Sequence, residues 1–89
     1  MHKIYKYEVA IVEDFHVALP EGARILSVQV QNGKPFFWAL VDQDARLRVA
    51  EFVIIGTGWP IADDKIEQRT FIGTFQMPGG FVWHLFQRK

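Results

Sequence analysis

The chain has 89 residues, of which 49% are apolar and 15% aromatic, and it contains no cysteine. This length predicts a single domain over residues 1–89 with a small core, and the lack of cysteine excludes a disulfide framework and a thiolate zinc site. Ten basic residues balance ten acidic ones, so no net charge attracts duplex DNA.

The sequence also lacks the features of a membrane or exported protein. No segment has the ~18 consecutive apolar residues of a membrane span, and MHKIYKYE at the N-terminus lacks the apolar run of a signal peptide. We therefore expect a soluble cytoplasmic protein without a membrane partner. The apolar fraction is high for so small a body, which favours self-association as a homo-oligomer.

Alternating apolar residues predict two strands in the first part of the chain, over Ile4 to Val12 and over Phe15 to Leu19. The N-terminal end of the first strand is half polar, which is typical of an edge strand. The sequence Pro20-Glu21-Gly22 then predicts a turn.

Arg24 to Asp42 predicts a β-hairpin, because Asn32-Gly33 suits a type I′ turn, in which both central residues have positive φ. A two-residue loop fixes the register, from Gln31 opposite Lys34 to Ile25 opposite Leu40. The predicted core face carries Leu26, Val28, Val30, Pro35, Phe37, Ala39 and Val41. The other face, here called the mixed face, carries Ile25, Ser27, Gln29, Gln31, Phe36, Trp38 and Leu40.

The second half of the chain predicts a long strand over Arg46 to Ile55, with a β-bulge near Glu51 where both faces turn apolar. One helical turn is predicted over Asp63 to Glu67, followed by strands over Thr70 to Met77 and Phe81 to Gln87. About seven short strands separated by turns predict an all-β fold, a small antiparallel β-sandwich or open barrel.

The loop Gly56-Thr57-Gly58-Trp59 is a candidate ligand loop. It lacks the lysine of a P-loop and the third glycine of a dinucleotide site. Either it is a turn in which Trp59 covers a core edge, or its backbone N–H groups and indole meet a ligand. Arg46 and Arg48 are basic positions that would serve a small nucleotide, although arginines on a strand also suit a solvated face.

No catalytic set, metal site or cofactor is predicted. No two of His2, His16 and His84 have the spacing of metal ligands. His84 lies in an apolar strand, which favours a packed, hydrogen-bonded histidine. The single serine, Ser27, lies within a strand, so serine-hydrolase chemistry is not expected.

The mixed face is the favoured interaction surface, with Ile25, Ser27, Gln29, Phe36, Trp38 and Leu40 as its residues. Aromatic residues among amides and a hydroxyl are typical of a protein–protein contact. The alternative is that a second sheet covers this face.

Five stretches of the chain, ILSVQVQNG, WALVD, IIGTGWPI, IGTF and GGFVWHLF, together resemble a family of small proteins of unknown function found in bacteriophages and prophages. The resemblance implies an accessory protein made in the infected bacterial cytoplasm, where it binds host components. It implies no catalytic residue.

These observations predict a non-enzymatic binding protein that self-associates through the mixed face. Its target would be a host defence protein or a signalling nucleotide. One alternative is a small-ligand or nucleotide-processing enzyme with His84, Asp63 and the Gly56–Trp59 loop in its site. Another is a minor structural component of the virion.

Overall fold

The computed structural model describes residues 1–89, which form seven strands and one short helix. They are β1 (His2–Glu8), β2 (Asp14–Pro20), β3 (Arg24–Gln31), β4 (Lys34–Asp42), β5 (Leu47–Gly56), α1 (Asp63–Glu67), β6 (Arg69–Gln76) and β7 (Val82–Arg88). Sheet A has the strand order β1-β4-β3, and sheet B has the order β2-β5-β7-β6. All strand pairs are antiparallel, and the sheets form a sandwich rather than a closed barrel. The predicted all-β class is confirmed.

The central hairpin forms as predicted at its turn. Asn32 and Gly33 have φ values of 53° and 78°, as a type I′ turn requires. The register is confirmed from the turn back to Ser27, which lies opposite Trp38.

Beyond Ser27 the predicted register is wrong. A bulge at Leu26 places Ile25 opposite Ala39 and Arg24 opposite Leu40. One additional residue in a strand exchanges the two faces on its far side. Leu26 is therefore 45% exposed instead of buried. Ile25 packs against the core and does not belong to the mixed face.

β1 ends at Glu8, so the predicted continuation to Val12 is wrong. Val9 lies beside Pro35 of β4, and its amide donates to the Pro35 carbonyl at 2.9 Å. Proline has no N–H to return to Val9, so the pairing stops there and the chain bends. Ile11 and Val12 are consequently exposed in a loop.

The predicted bulge near Glu51 is also wrong, because β5 pairs with β2 residue for residue. The outer face of β5 carries apolar residues at both ends of the strand. The alternation of inward and outward side chains along β5 is therefore not visible in the sequence. Leu47 and Val49 are exposed on that face, whereas Val53 and Ile55 are buried. These two line a cavity of about 270 Å³ with the segment that follows β5, which folds back over them.

The core lies between the two sheets. Its ten buried residues are Val9, Leu19, Val28, Phe37, Ala39, Val41, Phe52, Ile54, Phe75 and Leu85. Four aromatic rings connect the sheets in a row: Tyr7 stacks on Phe37, Phe37 contacts Phe52, and Phe52 stacks on Phe15, with centroid distances of 4.9 to 5.2 Å. No helix of the chain is long and apolar enough to cross a membrane.

Candidate binding surfaces

The mixed face of the hairpin is the outer face of sheet A, on the side away from sheet B. The residues of β4 that face sheet B are fully buried, namely Phe37, Ala39 and Val41. Because successive side chains of a strand point to opposite faces, the side chains between them point outward. The outer face of sheet A carries His2, Ile4, Lys6 and Glu8 from β1, Lys34, Phe36, Trp38, Leu40 and Asp42 from β4, and Arg24, Ser27, Gln29 and Gln31 from β3. Sheet B therefore does not cover Trp38.

The aromatic residues of this face are held by their neighbours. Nζ of Lys6 lies 4.5 Å from the ring centroid of Phe36 and donates a hydrogen bond to Oε1 of Gln31 at 3.0 Å. Phe36 and Trp38 make an edge-to-face contact at 6.3 Å. Each such contact is worth about 0.5–1.5 kcal/mol, so the face is partly ordered before any partner binds.

In the Gly56–Trp59 loop, here called the glycine loop, the tryptophan packs back over the edge of the core. Gly58 takes a positive φ of 86°, and the Trp59 indole packs directly on Gly56. Trp59 also meets Trp83 edge to face, with 5.5 Å between ring centroids. About half of the Trp59 side chain is exposed, so the loop both covers a core edge and presents an aromatic surface.

Arg46 and Arg48 lie at the other end of β5 from the Gly56–Trp59 loop. Arg48 and Gly56 are eight positions apart along the extended strand, a distance of about 26 Å. Nε of Arg46 pairs with Oε2 of Glu21 at 2.7 Å, and Nη1 of Arg48 lies 3.9 Å from Oε1 of the same carboxylate. The structure does not bring these arginines and the loop into one site.

The largest cleft of the chain lies beside Arg48, with a volume of about 490 Å³. Its lining consists of residues 19–23, 48–51 and 87–89, and it contains no aromatic side chain. Glu21 and Glu51 line it together with Arg48, Arg88 and Lys89, so acidic and basic side chains are mixed. A nucleotide would find neither a stacking surface nor a clearly positive site in this cleft.

His84 is half-buried on β7, and both ring nitrogens have partners. Oγ1 of Thr57 lies 2.7 Å from Nε2, and Oγ1 of Thr74 lies 2.8 Å from Nδ1. This is the packed, hydrogen-bonded histidine that the sequence predicts. The Gly56–Trp59 loop and His84 do meet, through Thr57, whereas Asp63 lies on the exposed helix α1 and is not bonded to the ring.

No cluster of three or more His, Asp or Glu side chains is arranged to hold a metal ion. Two groups in sheet A have shifted pKa values. Burial, together with the neighbouring Tyr5, raises the pKa of Tyr7. The backbone N–H of Asp44, which donates to Oδ1 of Asp42 at 3.0 Å, lowers the pKa of Asp42.

One family model matches the whole chain, residues 1–89. The chain belongs to the DUF7352 family, a domain of unknown function. Comparison with the curated proteins and with the solved structures gives no match.

This DUF7352 domain has a second apolar surface that sequence reasoning missed. Ile11, Val12, Trp59 and Trp83 line a small cavity of about 130 Å³ at the end of the sandwich. Phe81 stacks on Trp83 beside it and is 65% exposed. The sequence predicts a strand at Ile11 and Val12, and only the fold brings them beside the tryptophans. The unusual density of aromatic residues in Phe81-Val82-Trp83 was the one available signal.

Proposed function

We propose that this chain is a non-enzymatic binding protein that works as a homo-oligomer and contacts its partners through the outer face of sheet A. The observation that supports this most is that Phe36, Trp38 and Leu40 lie together on a face that sheet B does not cover. An apolar, aromatic centre of this kind is typical of a protein–protein contact.

The surroundings of this aromatic centre fit the same proposal. Ser27, Gln29 and Gln31 provide hydroxyl and amide groups along one side, and Lys6 and Glu8 provide one charge of each sign along the other. A polar rim around an apolar centre is the usual anatomy of such interfaces. The mixed charges favour a protein partner over a polyanion, which a net charge of zero does not attract.

The setting that we propose is the cytoplasm of a bacterium infected by a phage, with a host defence protein as the target. This part of the proposal comes from the sequence resemblance to phage and prophage proteins. A signalling nucleotide is the less favoured target. Arg46 and Arg48 lie far from the Gly56–Trp59 loop, and both guanidinium groups lie within 4 Å of the Glu21 carboxylate.

The test compares Trp38→Ala with Leu47→Ala, which removes an exposed apolar side chain from sheet B instead. Light scattering after size exclusion reports the mass, and affinity purification from infected cells identifies any host protein retained. We expect Trp38→Ala to lose the homo-oligomer, the retained host protein or both, while Leu47→Ala keeps them. A wild-type monomer at micromolar concentration, or a Trp38→Ala variant equal to wild type in mass, target and stability, would contradict the proposal.

A second candidate function is supported by the contact between the glycine loop and His84. Thr57 places its hydroxyl on the His84 ring, so a ligand on the loop would lie close to a titratable group. This would be a small-ligand or nucleotide-processing enzyme. It predicts turnover of a bound nucleotide that His84→Ala abolishes, and a nucleotide recovered intact from the purified protein would count against it.

A further inference from the structure

β1 has one edge that is not bonded to another strand of the chain, because it pairs with β4 alone. The amide of Val9 donates to the carbonyl of Pro35, and the amide of Gln43 donates to the carbonyl of Met1. Bonded and non-bonded pairs alternate along an antiparallel pair, so the odd-numbered residues of β1 bond to β4. The backbone N–H and C=O groups of the even-numbered residues point to the free edge. These residues are His2, Ile4, Lys6 and Glu8.

This edge is long and regular. All seven residues of β1 pair with β4 without a register shift, and none of them is proline or glycine. Every β1 side chain except that of Tyr7 is exposed. A straight edge with unpaired backbone groups is a template for another strand, which proteins usually cover or interrupt.

The other free strand edges of the sandwich are less suited to pairing with a strand of another chain. By the same alternation, the free groups of β2 belong to its even-numbered residues, which include Pro20, and proline has no N–H to donate. β3 has a bulge at Leu26 and β6 has one at Ile72. These two strands also lie against each other, where Gly73 approaches Val28.

We propose that β1 pairs with β1 of a second copy, antiparallel, with the two-fold axis at Tyr5. The three strands of sheet A from each copy then form one continuous six-stranded sheet. This inference rests on the homo-oligomer part of the proposed function, but it places the contact between copies at the edge of β1 and leaves the face around Trp38 for another partner. The outer faces of the two sheets A become a single surface, with Ile4 and Lys6 of both copies at its centre.

The side chains on β1 favour this register. With the axis at Tyr5, His2 lies opposite Glu8 of the second copy, so that an imidazole N–H faces a carboxylate, and Lys6 lies opposite Ile4. Lys3 lies opposite Tyr7. No two like charges are opposed, and all seven residues of β1 are paired. Like charges on facing residues would destabilise such a pair.

Registers shifted in either direction are worse. An axis at Lys6 opposes the two Lys6 ammonium groups, and an axis at Ile4 places Lys6 opposite His2. Both shifts also leave residues at one end of β1 unpaired. An axis at Tyr7 would oppose Lys6 and Glu8, but it would pair only three residues of β1 with one another. The axis at Tyr5 is therefore the register that pairs the whole of β1 without opposing like charges.

A cysteine scan tests the register, since the chain has no cysteine of its own. Tyr5→Cys would place two cysteines on the axis as a non-bonded pair, with about 4.5 Å between Cα atoms, within the range of a disulfide. Ile4→Cys and Lys6→Cys would place them diagonally, at about 7 Å or more. We expect mild oxidation to give a covalent dimer for Tyr5→Cys and little for the other two. A maximum at position 4 or 6 overturns the register, and no covalent dimer at any of the three overturns edge pairing.

A proline variant tests the edge itself. Ile4→Pro removes an N–H that β4 does not use, so the monomer should keep its circular dichroism while the dissociation constant of the dimer rises about 10- to 100-fold. Ala18→Pro is the matched control, because it removes an outward N–H from the free edge of β2. It should leave the mass unchanged. If Ile4→Pro keeps the dimer, or if both variants lose it equally, the inference is wrong.

An added negative charge provides a milder variant that does not depend on the backbone. His2→Glu opposes two carboxylates at each end of the paired strands and should raise the dissociation constant about 2- to 30-fold. Adding Glu8→Lys should restore dimerisation. A double variant as weak as the single one contradicts the pairing of residues 2 and 8.

The inference and the proposed function fail in different ways. Edge pairing predicts that Trp38→Ala keeps the dimer and that the amides of Ile4, Lys6 and Glu8 exchange slowly with deuterium in the dimer. If Trp38→Ala dissociates the oligomer while Ile4→Pro does not, pairing at the β1 edge is wrong and the proposed contact face around Trp38 is supported. If Tyr5→Cys forms a covalent dimer but Trp38→Ala changes no target binding, pairing at the β1 edge is supported. The proposed contact face around Trp38 is then wrong. A wild-type monomer at micromolar concentration contradicts both.

Discussion

The indole ring of Trp59 fills the space that a side chain at Gly56 would need. A Cβ atom on Gly56 would lie 2.7 Å from Cε2 of Trp59 and 2.8 Å from Nε1. The backbone of Gly56 is not in the left-handed region, so glycine is required here for its small size. The contact fixes Trp59 against Trp83 at the end of the sandwich.

We expect Gly56→Ala to lower the free energy of unfolding by about 1–3 kcal/mol, the usual cost of forcing a methyl group into a packed site. Urea unfolding followed by circular dichroism measures this. In a Trp59→Ala background the same change should cost nearly nothing, because the ring is absent. Equal costs in the two backgrounds would show that the indole is not the obstacle.

Gly73 and Val28 make the corresponding contact between the two sheets. A Cβ atom on Gly73 would lie 2.7 Å from Cγ1 of Val28. Gly73→Ala should therefore cost about 1–3 kcal/mol by separating β3 from β6. Combining it with Val28→Ala should cost less than the sum of the two single changes, in the same urea measurement. Strict additivity would place the strain elsewhere.

The parts of the fold that the sequence predicts are those set by local chemistry. The Asn32-Gly33 turn has both positive φ values, and its register extends to Ser27. The bulge at Leu26 was not predictable, because Ile25 and Leu26 are equally apolar and neither marks the face it occupies. The end of β1 depends on Pro35, which matters only once β1 is known to pair with β4.

The same distinction applies to the candidate surfaces. The outer face of sheet A was predictable because strand pairing within one hairpin assembles most of it. The surface around Trp59 was not, because Ile11, Trp59 and Trp83 come from three separate parts of the sequence. The sequence groups Arg48 with the glycine loop only by residue type, and the length of β5 separates the two in the structure.

Phe52 is central to the row of aromatic rings that connects the sheets. It is fully buried, and its ring lies 4.9 Å from that of Phe37 and 5.2 Å from that of Phe15. Phe52→Ala should lower the free energy of unfolding by about 3–5 kcal/mol, which leaves so small a domain close to unfolded. Phe71→Ala, at an exposed phenylalanine of β6, is the control and should cost about 1 kcal/mol or less. Thermal unfolding distinguishes them, and equal shifts in Tm would contradict this assignment of the core.

Tyr7 should make the stability of the chain sensitive to alkaline pH. Its pKa is raised above 10.0 because the phenol is partly buried against Phe37 and lies near Tyr5. A raised pKa means that the folded state holds the proton more tightly than the unfolded state. The contribution is therefore fully present below pH 10.0 and is lost as the pH rises through the folded-state value. Tyr7→Phe cannot ionise, so its stability should fall less than that of wild type between about pH 9 and about pH 11. Urea midpoints at the two pH values measure the difference. Equal losses in the two proteins would show that ionisation of Tyr7 is not coupled to unfolding.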